Sequence, residues 1–177
     1  MANRKIIVLD NFLNPVDFAT ICDTILNSKF TWNFQDNICG RLEEVEQIQN
    51  LQFCHLFFKL YPKFYVSPYF SLLSPMLERL KTKSLLRIKA NLNVPTDKPI
   101  EHCYHTDVDG KGSEDYYSAL LYLNDNNGGT KIKDQPFIQS KANRVLIFPS
   151  NIEHTGVSQT DTKHRVLINT IFTKKDG

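Results

Sequence analysis

The sequence predicts an α+β fold in which N-terminal helices pack on a double-stranded β-helix, or jelly roll. The hydrophobic pattern is mainly helical up to residue 83 and then changes to short β-rich runs separated by turn residues. With 177 residues, 41% of them hydrophobic, the chain can bury one core. No repeat or Gly/Ser/Pro-rich linker divides it. We therefore expect one domain over 1–177, with helical support at 1–83 and the jelly-roll core at 84–173.

The first half is expected to contain a short strand and three helices. The apolar run at residues 6–9 predicts the strand. Asn14 and Pro15 are typical of a helix N-cap and first turn, and apolar residues follow them at helical spacing. The second helix is predicted over 42–61 and the third over 70–81. These helices would cover one face of the β core.

The second half is expected to form the β core. Predicted strands cover 85–94, 100–107, 116–123, 130–133, 144–149 and 165–173. Glycine- and asparagine-containing spacers at 109–112 and 126–129 separate some of these runs. We interpret the pair Gly128 and Gly129 as a turn that needs positive φ angles.

Charge and cysteine content argue against several classes of protein. The net charge is only +2, which is too small to indicate a nucleic-acid-binding protein. The four cysteines are scattered without a CxxC pair, so we interpret them as reduced thiols of a cytoplasmic protein. The apolar run at 6–9 is too short for a signal peptide, and no run is long enough to cross a membrane. No membrane partner is expected.

The segment from His102 to Asp107 carries the strongest chemical signal. Side chains two apart on a strand share a face, so Cys103, His105 and Asp107 are predicted to point one way and His102 the other. His154 lies far downstream, where a jelly roll could bring it opposite the first two ligands. Two imidazoles and one carboxylate suit non-haem Fe(II) and leave coordination positions open for a co-substrate and oxygen.

Each of these signals also has a less specific interpretation. A His-x-Asp motif alone is most often a surface pair, and a single histidine such as His154 is most often a turn residue. Arg165 opens the last predicted strand, whose two faces are both largely apolar. Facing the interior, Arg165 would need an anionic partner such as a small dicarboxylate. At an exposed strand end it would need none.

Taken together, these motifs resemble those of the Fe(II)/2-oxoglutarate-dependent dioxygenases, in their prolyl 4-hydroxylase-like branch. The features that carry the resemblance are His105-Thr106-Asp107, then Tyr122-Leu123-Asn124 followed by Gly128-Gly129-Thr130, then His154 with Arg165 downstream. The match covers residues 84–173, and the segment 8–13 is similar to the usual opening of this family. The chain most resembles small stand-alone oxygenases encoded by bacteriophages, in which residues 87–92 also have a counterpart.

The resemblance implies a metal centre and a reaction. The metal ligands would be His105, Asp107 and His154. Fe(II), 2-oxoglutarate as co-substrate and O2 would be required, with ascorbate as an accessory reductant. Oxidative decarboxylation of 2-oxoglutarate would give succinate and CO2 and drive hydroxylation of a primary substrate. Peptidyl proline is the substrate that the family suggests, and a free amino acid or small metabolite is the alternative. A phage-encoded enzyme would act in the host cytoplasm.

The resemblance also implies how the co-substrate is held. Arg165 would pair with the distal (C5) carboxylate of 2-oxoglutarate, and Tyr122 would donate its hydroxyl to the same carboxylate. Asn91, on the strand before the metal motif, would contact the co-substrate. Lys163 and His164 lie close to Arg165 in the sequence and are alternative anchors.

Other function classes stay open at this stage. One is a jelly-roll binding module without catalysis, and another is a zinc hydrolase that uses the same three ligands. The near-neutral charge argues against an oxygenase that acts on nucleic acid. The glycine-containing loop at 108–117 is a candidate substrate contact, whereas the aromatic segment at 60–68 is interpreted as core. The sequence leaves the oligomeric state open.

Overall fold

A computed structural model describes residues 5–35, 38 and 51–175, and within them eleven strands form two antiparallel sheets. The strands are β1 (Ile7–Leu9), β2 (Asn33–Gln35), β3 (Gln52–Lys59), β4 (Tyr65–Val66), β5 (Thr82–Asn93), β6 (Tyr117–Tyr122), β7 (Gly129–Ile132), β8 (Ile138–Gln139), β9 (Arg144–Pro149), β10 (His154–Val157) and β11 (Arg165–Lys174). The larger sheet has the order β1-β9-β6-β11-β5-β3-β2, with β4 paired to β3, and the smaller has the order β10-β7-β8. This is the predicted jelly-roll arrangement.

Two α-helices accompany the sheets in the described part of the chain. They are α1 (Pro15–Ile25) and α2 (Ser74–Arg79), and a 3₁₀ turn over Phe70–Leu73 leads into α2. The helix α1 begins where the sequence predicts, because the Asn14 side chain accepts a hydrogen bond from the backbone N–H of Asp17 at 2.9 Å. The helix predicted over 70–81 is confirmed as the 3₁₀ turn followed by α2.

The central strands of the larger sheet are buried on both faces, and strand alternation separates the two cores. On β6, Ala119 and Leu121 join the core that includes buried residues of α1 and α2. Leu120 and Tyr122, which alternate with them, pack against Ile132 of the smaller sheet. The helices therefore cover one face of the larger sheet, and the smaller sheet covers part of the other.

The helix predicted over 42–61 is wrong where the structure describes this segment. Residues 52–59 form β3, which pairs with β5 on one side and with β2 on the other. Its run of phenylalanines is well suited to a strand between two neighbours, and pairing with β5 outweighs the helical periodicity. Residues 42–50 lie outside the described part. The strands β2, β4 and β8 were also not expected from the sequence.

The predicted strand over 100–107 is replaced by an irregular segment. Its only bridges join Glu101 to Val157 and His105 to His154 among the described residues. The backbone N–H of Asp107 donates instead to the carbonyl of Ser150 at 2.9 Å, beyond the start of β10. Because β10 has only four residues, it cannot pair with the whole segment. The other five predicted strands of the second half correspond to β5, β6, β7, β9 and β11.

The glycine pair before β7 is needed for close packing and not for an unusual backbone conformation. Neither Gly128 nor Gly129 has the positive φ predicted for them, whereas Gly110 does, with φ +83°. A Cβ added at Gly129 would lie 2.2 Å from the carbonyl oxygen of Ile138 and 2.7 Å from the ring of Phe137. Only glycine lets β7 and β8 approach this closely.

Replacing Gly129 with alanine is therefore expected to lower the free energy of unfolding by about 2 kcal/mol, since the added methyl group would force the backbones of β7 and β8 apart. Urea unfolding of the purified protein would measure this loss. The matched control is Gly110→Ala, which meets no atom within 4 Å and should cost about 1 kcal/mol from its backbone conformation alone. Equal losses in the two variants would contradict the packing explanation.

The structure corrects the interpretation of the cysteines. Cys22 and Cys54 are free, but Cys103 is disulfide-bonded. The interpretation of all four cysteines as reduced thiols is therefore wrong for Cys103. Within the described ranges, no helix is both long enough and apolar enough to span a membrane.

Candidate functional site

A pair of histidines joins the irregular segment to the smaller sheet. The backbone N–H of His105 donates to the carbonyl of His154 at 3.0 Å, and the N–H of His154 donates back at 2.9 Å. This bridge sets the two imidazole rings side by side, with centroids 4.4 Å apart. One ligand atom each of His105, Asp107 and His154 lies within 4.8 Å of the other two. The three predicted metal ligands thus converge.

Hydrogen bonds to carbonyl groups fix which ring nitrogen of each histidine is free. Nδ1 of His154 lies 3.0 Å from the carbonyl oxygen of Ile152, and Nδ1 of His105 lies 3.4 Å from that of Cys103. A carbonyl oxygen only accepts, so Nδ1 carries the proton in both rings and Nε2 keeps its lone pair. This is the arrangement in which backbone groups orient metal-binding histidines.

The Asp107 carboxylate is buried and held by three side chains. Arg87 donates to its Oδ1 at 3.1 Å, the Ser118 hydroxyl donates to its Oδ2 at 2.5 Å, and the Asn169 amide lies within 3.3 Å of both oxygens. Burial alone would raise the pKa of this carboxyl, but Arg87 and the Ser118 hydroxyl help to hold that pKa below its ordinary value. Asp107 is therefore ionised and fixed in orientation.

The triad has the chemistry of a site for a divalent transition metal. Burial lowers the pKa of the His105 imidazole, so the neutral, metal-binding form is favoured. Two neutral imidazoles and one carboxylate supply three ligands on one side and leave the other side open. The residues present therefore fit such an ion.

One pocket contains the triad and a polar wall from two neighbouring strands. Alternate residues of β5 line it, namely Arg87, Lys89, Asn91 and Asn93. From β11, Arg165 and Asn169 line the same pocket, and β5 and β11 pair in a register that sets Arg165 opposite Asn93 and Asn169 opposite Lys89. The metal ligands thus lie towards the Asn169 end and Arg165 lies at the other.

Arg165 faces the interior and has no anionic partner among the described residues. It is 4% exposed, and its guanidinium donates to the Ser140 hydroxyl, the Asn93 side-chain oxygen and the Gly129 carbonyl at 2.8–3.2 Å. Burial lowers the pKa of Arg165. The three groups that accept its hydrogen bonds are neutral and do not compensate its charge. A buried guanidinium that lines a pocket without a counter-charge is suited to binding an anionic ligand.

The other predicted co-substrate residues lie in or next to this pocket. Asn91 lines the pocket directly. Tyr122 is fully buried behind it and donates its hydroxyl to the Thr130 hydroxyl at 2.8 Å, while Thr130 itself lines the pocket. Lys163 and His164 are not among the described lining residues. Arg165 is thus the one basic residue of this group that reaches the pocket.

His102 is a lining residue that strand alternation assigned to the wrong face. It lines the same pocket as His105 and Asp107, because the irregular backbone of this segment breaks the two-residue alternation. Lys89 and Asn93 were also missed, although their spacing with Asn91 on a predicted strand is a signal that could have found them.

His102 should make the stability of the metal-free protein depend on pH. Burial first, and Arg165 second, lower its pKa from 6.5 to about 4. Between these pH values the unfolded chain binds a proton that the folded chain does not, so stability falls as pH falls. Between pH 7 and 4.5, we expect the free energy of unfolding of the wild type to fall by about 1–2 kcal/mol more than that of His102→Gln.

Urea unfolding at several pH values would measure this difference. The control is His164→Gln, which removes a histidine that does not line the pocket. The same pH slope for His102→Gln and the wild type would contradict the prediction.

Solved structures of 2-oxoglutarate oxygenases share this fold. An oxidoreductase of the 2OG-Fe(II) oxygenase family from Burkholderia pseudomallei aligns with a TM-score of 0.66 at 11% identity, over 97% of this chain and 86% of that one. A prolyl-4-hydroxylase from Pseudomonas putida aligns with a TM-score of 0.61 at 15% identity, over 98% and 95% of the two chains. HygX from Streptomyces hygroscopicus, solved with nickel and 2-oxoglutarate bound, gives 0.58 at 12% identity, over 97% and 84%.

Sequence comparison adds no closer relative: no protein-family model and no curated protein matches the chain. The likeness therefore rests on topology, which the eleven described strands share with these oxygenases over nearly the whole chain. The resemblance seen in the sequence motifs is confirmed at the level of the fold, and this chain folds as the 2OG-Fe(II) oxygenases do, prolyl 4-hydroxylases among them.

Proposed function

We propose that this chain is an Fe(II)- and 2-oxoglutarate-dependent oxygenase that hydroxylates its substrate and releases succinate and CO2. One observation carries the proposal. The pocket that holds the convergent His105, Asp107 and His154 side chains also holds Arg165, a buried cation without a carboxylate partner among the described residues. A dicarboxylate that also chelates a metal would satisfy both parts of the pocket.

The residues of the triad prepare the site for the metal. The carbonyl groups that accept from Nδ1 hold His105 and His154 with Nε2 free, so the rings do not have to reorient. Arg87 and Ser118 hold the Asp107 carboxylate, whose negative charge offsets part of the charge of a cation. Ferrous iron bound here supplies the redox chemistry that couples O2 to decarboxylation of the 2-oxo acid.

Arg165 would orient the co-substrate. It lies four residues before Asn169 on β11, so the cation and the triad lie towards different ends of the pocket. A 2-oxoglutarate molecule with its C5 carboxylate on Arg165 would extend its 2-oxo acid end towards the triad. Asn91 would contact its middle. Tyr122, predicted to bind the same carboxylate, would act through Thr130, to which its hydroxyl donates.

Arg165 also separates this function from its alternatives. A zinc hydrolase or a non-catalytic jelly-roll module has no use for a buried, uncompensated guanidinium beside the metal ligands. The substrate is a separate question, because the fold is shared by oxygenases with different substrates. Peptidyl proline and a free amino acid or small metabolite are the proposed substrates, and nucleic acid is not favoured. A single oxygenase domain, ascorbate dependence and a cytoplasmic location stay predictions.

An anaerobic titration tests the proposed function. Purified protein would be loaded with Fe(II) under anaerobic conditions and titrated with 2-oxoglutarate, and O2 would then be admitted in the presence of proline peptides or free amino acids. We expect saturable binding of 2-oxoglutarate and iron-dependent release of succinate, with ascorbate tested as an addition. Protein loaded with Zn(II) is the control and should release none. Failure to bind 2-oxoglutarate in the presence of Fe(II) would contradict the proposal.

A further inference from the structure

A second cation lies at the metal end of the pocket and is not used by the proposed mechanism. Lys89 lines the pocket from β5, two residues after Arg87 and two before Asn91. Strand pairing sets it between Asn169 of β11 and Leu56 of β3. Because Asn169 donates to the metal-ligand carboxylate, Lys89 lies close to the site of the chemistry.

The charge of Lys89 is compensated only in part by the described residues. Its ammonium group interacts with the Cys54 thiol, and it forms no ion pair with any described carboxylate, although the charge of Asp107 favours its protonated form. Burial raises the pKa of Cys54, so this thiol is neutral and supplies no counter-charge. Burial is also the largest influence on Lys89 and lowers its pKa. Arg87 differs, because it is paired with Asp107 at 3.1 Å.

The pocket as a whole is therefore cationic. Its described lining includes three cationic side chains, Arg87, Lys89 and Arg165, against one carboxylate, Asp107. A bound divalent metal would add positive charge, and the two carboxylates of 2-oxoglutarate would remove only part of the total. The remaining positive charge favours a further anion in the completed site.

The side of the pocket on which Lys89 lies distinguishes it from the co-substrate anchor. The Arg165 guanidinium contacts Ser140 and Gly129, next to the smaller sheet. The Lys89 ammonium contacts Cys54 of β3, on the other side of β5 from β11. A co-substrate that runs from Arg165 to the triad would follow the β11 side, so the β3 side remains for the primary substrate.

We propose that Lys89 binds a carboxylate of the primary substrate, which is therefore a small molecule with its own acid group, such as a free amino acid. The inference rests on the proposed function and chooses between its two substrate classes. An internal proline of a peptide, the other proposed substrate, has no carboxylate to offer at this position. The same ammonium could instead bind the C1 carboxylate of 2-oxoglutarate, and the experiment is designed to tell these two carboxylates apart.

The experiment compares the wild type with Lys89→Met, which keeps the length of the side chain and removes its charge, and with Lys89→Arg, which keeps the charge. Lys29→Met, at an exposed lysine outside the pocket, is the matched control. Because Lys89→Met removes a partly buried cation without a carboxylate partner, we expect it to fold with a Tm no lower than that of the wild type.

Calorimetric titration without O2 gives two readouts. The first is the affinity of Fe(II)-loaded protein for 2-oxoglutarate, which should change less than twofold in all three variants. The second uses protein that already holds Fe(II) and 2-oxoglutarate, titrated with the free L-amino acids and with their neutral carboxamides. We expect the wild type to bind one or more acids and not their amides. Lys89→Met should weaken that binding by about tenfold or more, and Lys89→Arg should retain most of it.

Four results would overturn the inference while leaving the proposed function intact. A tenfold loss of 2-oxoglutarate affinity in Lys89→Met would assign Lys89 to the co-substrate. If the wild type bound an amino acid and its amide equally well, the carboxylate would not be recognised. If the wild type and Lys89→Met bound an amino acid equally well, the charge of Lys89 would play no part in binding. Binding of a proline peptide with blocked termini in place of every free acid would point to the peptide class. Failure of the wild type to bind 2-oxoglutarate would overturn the proposed function itself.

Discussion

Replacement of His105 by alanine is expected to abolish retention of Fe(II), with an affinity at least about 100-fold below that of the wild type. The reason is that the variant loses one of only three protein ligands, and loss of a group that merely orients a ligand already costs 10–100-fold in such sites. His105 is more exposed than His154. We therefore expect His105→Ala to lose its affinity for Fe(II) and still fold. Equilibrium dialysis against Fe(II) under anaerobic conditions would measure it.

Two further variants make this expectation sharper. Asp107→Asn keeps the shape of the side chain and removes its charge, and His154→Ala removes the ligand from the other side of the site. Both should lose Fe(II) as His105→Ala does. His164→Ala is the control, since His164 is not among the described lining residues, and it should bind Fe(II) as the wild type does. Retention of one Fe(II) per chain by all three site variants would show that the metal, if any, binds elsewhere.

Replacement of Arg165 by methionine should weaken binding of 2-oxoglutarate by about 30- to 1,000-fold, the loss expected when one partner of a buried, hydrogen-bonded charge pair is removed. The affinity for Fe(II) should stay within about threefold of the wild type, because Arg165 is not one of the three candidate ligands and lies towards the other end of the pocket. Titration of Fe(II)-loaded protein with 2-oxoglutarate would measure the first effect, and Fe(II) dialysis the second.

Arg165 also has a structural role, which the controls must separate from binding. Its guanidinium donates to the Ser140 hydroxyl, and loss of this and the other buried hydrogen bonds should lower the free energy of unfolding by about 1–3 kcal/mol. Arg165→Lys keeps a charge without the planar fork and should bind with intermediate affinity. Lys163→Met and His164→Ala test the neighbouring basic residues and should bind normally. Wild-type affinity for 2-oxoglutarate in Arg165→Met would refute the anchor assignment.

The three convergent residues that we propose as metal ligands, and the buried Arg165, could be singled out from the sequence because each is marked by a local feature. The His-x-Asp motif lies in a β-rich run, and Arg165 begins a strand whose two faces are both apolar, which places it in a buried region of the sheet. Their convergence was an inference from the jelly-roll topology. It depends on the bridge between His105 and His154, which no local pattern encodes.

His102 and Lys89 show why other parts of the site could not be found in this way. The alternation rule holds only for regular strands, and the segment that contains His102 pairs through isolated bridges and single hydrogen bonds. Lys89 obeys alternation, but a lysine on a strand is ordinarily a solvated residue. Only the positions of β3 and β11 on either side reveal that its charge faces the pocket and forms no ion pair with a described carboxylate.

The sequence alone determined the features that arise between neighbours along the chain: the capped start of α1, the alternation that gives β6 two buried faces, and the residue types of the metal triad. Tertiary structure decided that residues 52–59 form a strand and which polar side chains share the pocket. The physical reason is the range of the interactions. Caps and periodicity depend on contacts within a few residues, whereas strand pairing and the compensation of buried charge depend on partners that only the folded chain brings together.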